Sequence, residues 1–189
     1  MEKDLVIGLG EIGLPIFKLF SKNTIIEGID KNPKLSKIKP SLENHKISIM
    51  HICIPFNKLF ISEVRKLEKK FKPRLIVIHS TISPHTTEKL QNKLEIPIIY
   101  SATRGVHKRM LRDLKRYVKF YSIYENAPNS KWASKIFENK LKKCNVKYQK
   151  MSTPLTLELA KIICDTSYYG WLINYAQISK IITEKENVD

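Results

Sequence analysis

The chain has 189 residues, 42% of them apolar, which is enough to bury one full core but cramped for two independent domains. No run reaches the roughly 18 uninterrupted apolar residues of a membrane span, and the chain leads straight into a strand-like run with no signal-like segment, so a cytoplasmic protein with no membrane partner is expected. The 34 Lys and Arg against 18 Asp and Glu give a net charge of +16, which suits a nucleic-acid partner, a phosphorylated substrate or simply solvated helix faces, while Cys53, Cys144 and Cys164 lack metal-ligand spacing and predict buried reduced thiols and no metal site.

The first apolar run, 5–9, passes directly into Gly8-Leu9-Gly10-Glu11-Ile12-Gly13, and a second, 25–29, ends in Asp30. Strand, glycine motif, helix, strand and acid in that order are the fingerprint of a dinucleotide-binding βαβ unit. Gly8 allows the tight strand-to-helix turn, Gly10 lets the backbone approach a pyrophosphate, and Gly13 lets the helix lie close to the strand. Glu11 and Ile12 complete the loop, and the helix N-terminus faces the phosphates with unpaired N–H groups and a positive dipole end. Asp30, at the end of the second strand, can accept from both hydroxyls of the adenosine ribose and would repel a 2′-phosphate. NAD is therefore favoured over NADP, with Lys31 as the one neighbouring cation able to hold such a phosphate.

Further strand-like runs at 47–54, 75–79 and 96–100 alternate with helical periodicity at 59–71 and 86–94. The expected fold is α/β, a Rossmann-like, doubly wound and mostly parallel sheet covered on both faces. The connection 31–46, with Pro33 and Pro40, reads as a loop with at most a short helix. Strands at 117–124 and 146–149 flank a helix at 130–142. Between them and the fifth run, Arg104, Lys108, Arg109, Arg112, Lys115, Arg116 and Lys119 concentrate positive charge against Asp113 alone. Tyr117, Phe120 and Tyr121 would stack on bases if this were a nucleic-acid face, but they lie in a run that reads as a buried strand, so nucleic acid is not expected as a partner.

After Ser152-Thr153-Pro154, a cap and first-turn proline, residues 155–183 read as one long helix. It is apolar on several faces and needs covering by more protein. A second copy, giving a homodimer, is the economical answer; a remainder of a longer chain is the alternative. The expected division is a dinucleotide-binding domain at 1–152 and a dimerisation helix at 153–189. On that helix Glu158, Lys161 and Asp165 fall at i, i+3 and i+7. A partly buried lysine beside carboxylates is tunable for proton transfer; the plainer reading is a helix salt bridge worth a few tenths of a kcal/mol, roughly.

With these segments assembled, residues 5 to about 179 resemble the UDP-glucose/GDP-mannose dehydrogenase family, and more distantly the 6-phosphogluconate and β-hydroxyacid dehydrogenases. The matching segments are the glycine motif with Leu14-Pro15, Gly28-Ile29-Asp30-Lys31-Asn32-Pro33, His51-Ile52-Cys53-Ile54-Pro55, Ser80-Thr81-Ile82-Ser83-Pro84-His85-Thr86-Thr87 and Leu157-Glu158-Leu159-Ala160-Lys161. The resemblance implies that Pro55, Ser80 and Thr81 contact the cofactor and that the long helix forms a dimer core. It also implies that Lys161 matches an active-site lysine, with Asp165 where the family has asparagine. Three departures stand out. The family's nucleophilic cysteine and sugar-binding domain lie beyond the long helix, outside the matching residues, so its two-hydride oxidation to an acid is not expected of this chain alone. Ser101-Ala102-Thr103-Arg104 replaces the common Ser-Pro-Glu-Arg, removing a glutamate. Asp165 adds a negative charge beside Lys161.

The expected function is a single hydride transfer between NAD and a hydroxyl or carbonyl of an anionic substrate, either a sugar nucleotide or a hydroxy acid. Lys161 would accept the proton or polarise the oxygen, Asp165 would orient it, and Thr81 would lie near the nicotinamide. Arg104, His107 and Arg109, after the fifth strand, would bind the anion. The alternative is a non-catalytic NAD-binding dimer, a sensor or partner protein.

Overall fold

The structure, a computed structural model, describes residues 1–40 and 44–188, and the side chain of His107 lies outside that description. Strands β1 (Glu2–Ile7), β2 (Ile26–Ile29), β3 (Lys46–Ile52), β4 (Leu75–Ile78) and β5 (Ile98–Tyr100) form one parallel sheet in the order β2-β1-β3-β4-β5. This is the Rossmann-like arrangement that the alternating runs predict. The strand order reverses between β1 and β3, and in an open parallel sheet the crevice beyond the carboxyl ends at such a reversal is where ligands bind.

The pleat divides the core into two layers. Leu5, Ile7, Met50, Ile52, Ile76 and Ile78 point to one side, against Phe60 and Val64 of α2 (Phe60–Phe71) and Leu90 of α3 (Thr86–Gln91). Val6, Ile49, Val77 and Ile99 point to the other, against Ile16, Leu19 and Phe20 of α1 (Gly13–Phe20) and Phe137 and Leu141 of α5 (Ser130–Lys143). Strands buried on both faces are apolar at successive positions, which is why the runs do not alternate with polar residues. The lysines of α2 stay in water: Phe60 and Val64 are buried one turn apart, while Lys66, Lys69 and Lys70 are exposed.

Beyond β5 come α4 (Met110–Arg116), β6 (Lys119–Tyr121) and β7 (Tyr148–Lys150). β6 and β7 pair in parallel, and a single antiparallel bridge, with Tyr100 and Ser122 exchanging 2.9 Å hydrogen bonds, ties them to β5. Both strands are shorter than the apolar runs suggest, because their neighbours offer a ladder over only three residues each. Tyr121 is fully buried and Phe120 packs against the core, so these rings build the interior. In the connection after β2, Pro33–Leu35 forms a short 3-10 turn capped by the Asn32 side chain; positions 41–43 lie outside the described residues.

The long helix begins as its sequence signals predict, with the Thr153 hydroxyl accepting the Thr156 N–H at 3.2 Å and Pro154 in the first turn. It runs over residues 154–186, about 50 Å at 1.5 Å per residue, but it is not uniform. α6 (Pro154–Ala160) is followed by a π-helical stretch, Lys161–Tyr168, and then by α7 (Tyr169–Glu186). α6 packs on the sheet domain through Leu157 and Glu158, whereas no residue of α7 is buried; Trp171 is 72% and Tyr175 70% exposed. Cys53 and Cys144 are buried as expected. Cys164 is exposed, contrary to expectation: it lies on the π stretch, no residue of which is buried. Among the described residues no helix is long and apolar enough to cross a membrane.

Glu158 does not work with Lys161, as the helix spacing suggests. Its carboxylate accepts the backbone N–H groups of His85 (2.7 Å) and Thr87 (2.8 Å) and the Thr87 hydroxyl (2.6 Å), so it caps α3 from across the domain. The first N–H groups of a helix have no internal partner, and a buried anion is the strongest acceptor for them. Replacing Glu158 with alanine strands those donors and is expected to lower stability by about 3 kcal/mol, seen as a lower urea midpoint with an unchanged slope.

Candidate functional site

The glycine loop shows the distinct mechanical role of each glycine. Gly8 has φ 85°, and a Cβ there would lie 2.9 Å from the Cys53 carbonyl oxygen. At Gly13 a Cβ would lie 1.7 Å from the carbonyl oxygen of Gly8, so helix and strand meet at backbone contact. Gly10 is different: a Cβ there would meet nothing within 4 Å, which leaves open space on the side where a pyrophosphate would approach. Asp30 is held beside the loop, Oδ2 accepting the Leu9 N–H at 2.7 Å and Oδ1 the Asn32 N–H at 2.9 Å. The Leu9 N–H first, then that of Asn32, keeps its carboxyl below the usual range. Each oxygen retains a lone pair for a ribose hydroxyl.

The loops after β3 and β4 are tied together. The Ser80 hydroxyl donates to the carbonyl of Ile54 at 2.6 Å, which leaves Pro55 and Thr81 exposed at the carboxyl ends of the strands. Cys53 lies beneath them, its thiol pushed up to about 12 by burial, and is inert as a nucleophile.

The second half of the site is on the π-helical stretch, which carries both Lys161 and Asp165. Such stretches within helices are frequent at functional sites. Lys161 Nζ donates to Asp165 Oδ2 at 2.7 Å and to the Thr103 carbonyl, just past β5, at 2.9 Å. An ammonium has three donors, so one N–H of Lys161 remains for another oxygen. Arg104 completes the group, with Nε 3.8 Å from Asp165 Oδ1 and a 2.9 Å bond to the Tyr169 hydroxyl. Arg109 is not brought to this group: it pairs with Asp113 at 3.1 Å and faces α1. The backbone of His107 forms a 3-10 turn with Arg109, and its side chain lies outside the described residues.

Sequence reasoning missed the polar chain beneath this group. Lys119, on β6 and only 4% exposed, donates to the carbonyls of Ser101 (2.9 Å) and Ala102 (3.3 Å), so two lysine side chains hold three successive carbonyls after β5. Burial, aided by the charge of Lys161, depresses Lys119 from 10.5 to about 7. His79 Nδ1 lies 3.1 Å from the same Ser101 oxygen, and its Nε2 lies 3.0 Å from His51 Nδ1. A carbonyl only accepts, so His79 carries its proton on Nδ1 and accepts from His51. His51 Nε2 is then left without a hydrogen-bond partner, 3.9 Å from the buried carboxylate of Asp4. Burial depresses both imidazoles. The available signal was a lysine and two histidines inside otherwise apolar runs.

The depressed Lys119 has a consequence for stability. Between about pH 7 and 10.5 the unfolded chain holds a proton on this lysine that the folded chain has released, so raising pH through that window favours folding. Wild-type stability minus that of Lys119→Met is expected to rise with pH there, by at most about 1.4 kcal/mol per unit. Urea midpoints at pH 6.5 and 9.5 check it.

No family model matches the chain, and no curated protein matches it either. Solved structures do. UDP-D-ManNAc dehydrogenase from Pyrococcus horikoshii matches with TM-score 0.66 and 19% identity over 85% of this chain and 50% of that one. The UDP-N-acetyl-mannosamine dehydrogenase of Staphylococcus aureus matches with TM-score 0.68 and 19% identity, over 99% and 56%. Prephenate dehydrogenase from Aquifex aeolicus, solved with hydroxyphenyl propionate and NAD+, gives 0.69 and 15%, over 96% and 70%. The chain thus spans about half the length of the sugar-nucleotide dehydrogenases it matches, and it shares their fold as the resemblance implied.

Proposed function

We propose that the chain binds NAD(H) in the crevice between β1 and β3 and serves a single hydride transfer at a hydroxyl or carbonyl of an anionic substrate, a sugar nucleotide or hydroxy acid. The glycine loop 8–13 would hold the pyrophosphate, Asp30 the adenosine ribose, and Pro55, Ser80 and Thr81 the nicotinamide side. The open space at Gly10 and the two free lone pairs of the anchored Asp30 fit such a molecule. When bound, NAD+ would accept the hydride in oxidation and NADH would donate it in reduction.

The observation that carries the catalytic reading is the remaining donor of Lys161. With Thr103 and Asp165 holding two N–H bonds, the third stays available for a guest oxygen. When a carbonyl is reduced, that N–H gives its proton to the forming alkoxide; in the reverse direction Nζ takes the hydroxyl proton. Asp165 orients the amine, and Arg104 offers a guanidinium to a carboxylate or phosphate of the substrate.

The unburied α7 supports a homodimer through residues 155–183, which would cover Trp171 and Tyr175. Trp171→Glu with Tyr175→Glu is expected to yield a folded monomer of half the mass by light scattering. An unchanged mass, or a wild type already monomeric, would remove this interface. Calorimetric titration with NAD, NADH, NADP and NADPH tests the cofactor site first. Binding of NAD(H) supports a substrate search by cofactor reduction; no binding of any of the four refutes the function. Binding of NAD(H) without turnover of any sugar nucleotide or hydroxy acid would favour a binding protein.

A further inference from the structure

The basic segment after β5 finds its place away from Lys161. Lys108, Arg109, Arg112 and Lys115 meet Lys18 of α1 and Lys22, in the turn just after it, around a cavity of about 540 Å3, and no carboxylate lines it. Among the described residues only Arg109 of these six has a carboxylate within 4 Å. The floor is apolar, Leu14 and Leu19 of α1 against Met110 and Leu111 of α4. Two cationic walls on an apolar floor disfavour the empty groove, through like-charge crowding on one side and wetted hydrocarbon on the other.

We propose that this groove docks an acidic segment of a partner protein whose carboxylates are interleaved with apolar side chains. Complementary charge engages the walls and the apolar side chains cover the floor, the pairing used when an amphipathic segment enters a groove. Nucleic acid fits less well. No aromatic residue lines the cavity for bases to stack on, and the ring of nearby Tyr117 is flanked by the guanidinium groups of Arg104 and Arg116 at 5.3 and 5.6 Å. A second copy of this chain, with 18 Asp and Glu against 34 Lys and Arg, offers these cationic walls less complementary charge than an acidic segment does.

The test uses the full chain and fluorescence anisotropy with a labelled 15-residue peptide repeating Glu-Glu-Leu. Its Gln-Gln-Leu counterpart and a mixed-sequence single-stranded oligonucleotide serve as comparison probes. The acidic peptide is expected to bind, more weakly as salt rises, and the Gln form not to bind. K18E with R112E, and separately K22E with K115E, are expected to weaken the peptide about tenfold or more. K66E with K69E, the same charge change on exposed positions of α2, should change it less than about twofold, since distant exposed charges are screened. Circular dichroism establishes that each variant is folded. Absence of peptide binding at low salt, equal losses in all three variants, or tighter binding of the oligonucleotide than of the peptide would each overturn the proposal.

Discussion

Gly13→Ala is expected to destroy the nucleotide loop, while Gly10→Ala, three residues earlier, leaves the fold intact. The methyl group at position 13 would sit 1.7 Å from the Gly8 carbonyl oxygen and 3.1 Å from the Cys53 side chain, so backbone has to move on both sides of the turn. No flexible side chain is available to absorb the clash. Overpacking of this kind costs about 3 kcal/mol or more, which a thermal or urea unfolding curve reads directly. At position 10 the added methyl meets no atom within 4 Å and the backbone is not left-handed, so folding stability should stay level or rise by about 0.5 kcal/mol. The same methyl would occupy the space assigned to the pyrophosphate, and NAD affinity should fall tenfold or more by calorimetry. A Gly10→Ala protein that binds NAD like the wild type would show that the loop does not hold the cofactor there. A Gly13→Ala protein of normal stability would contradict the loop geometry itself.

The contrast shows why this part of the molecule was legible from sequence. Gly8, Gly10, Gly13 and Asp30 act through backbone geometry at short separations, and local rules fix such geometry. The strands were legible too, since burial on both faces leaves unbroken apolar runs such as 75–78. What escaped was set by contacts between distant segments. Glu158 reads locally as the neighbour of Lys161 but is claimed by the N-terminus of α3, more than seventy residues earlier. The shortening of β6 and β7 depends on how little ladder their neighbours offer, which no single run reveals. The π winding that carries Lys161 and Asp165 has no marker in the residues themselves. Arg109 and Arg104 lie five positions apart, yet one faces α1 and the other Asp165, because Gly105, at φ 149°, and the 3-10 turn His107–Arg109 redirect the chain between them.

Lys161→Met should lower turnover by about a hundredfold or more, the range general acid–base groups contribute, with NAD affinity changed less than about twofold. The separation of the two effects is the informative part, because Lys161 touches Thr103, beyond β5, and Asp165, whereas the glycine loop follows β1, with β3 and β4 between the two strands. Loss of both binding and turnover would make it a structural brace for the carbonyls after β5. Asp165→Asn sharpens the reading. An amide oxygen still accepts from Nζ at the same position, so geometry survives while the negative charge is lost. If Asp165 acts by orientation, turnover should remain within about tenfold of wild type. If its charge is required, this variant should fall with Lys161→Met. Arg104 would then be freed from its only carboxylate neighbour among the described residues, and substrate affinity should rise as turnover drops. Cofactor reduction measured for the three proteins over a substrate series, as kcat and KM separately, distinguishes these outcomes. Wild-type turnover retained in Lys161→Met would remove the lysine from the mechanism and leave the π stretch without a catalytic role.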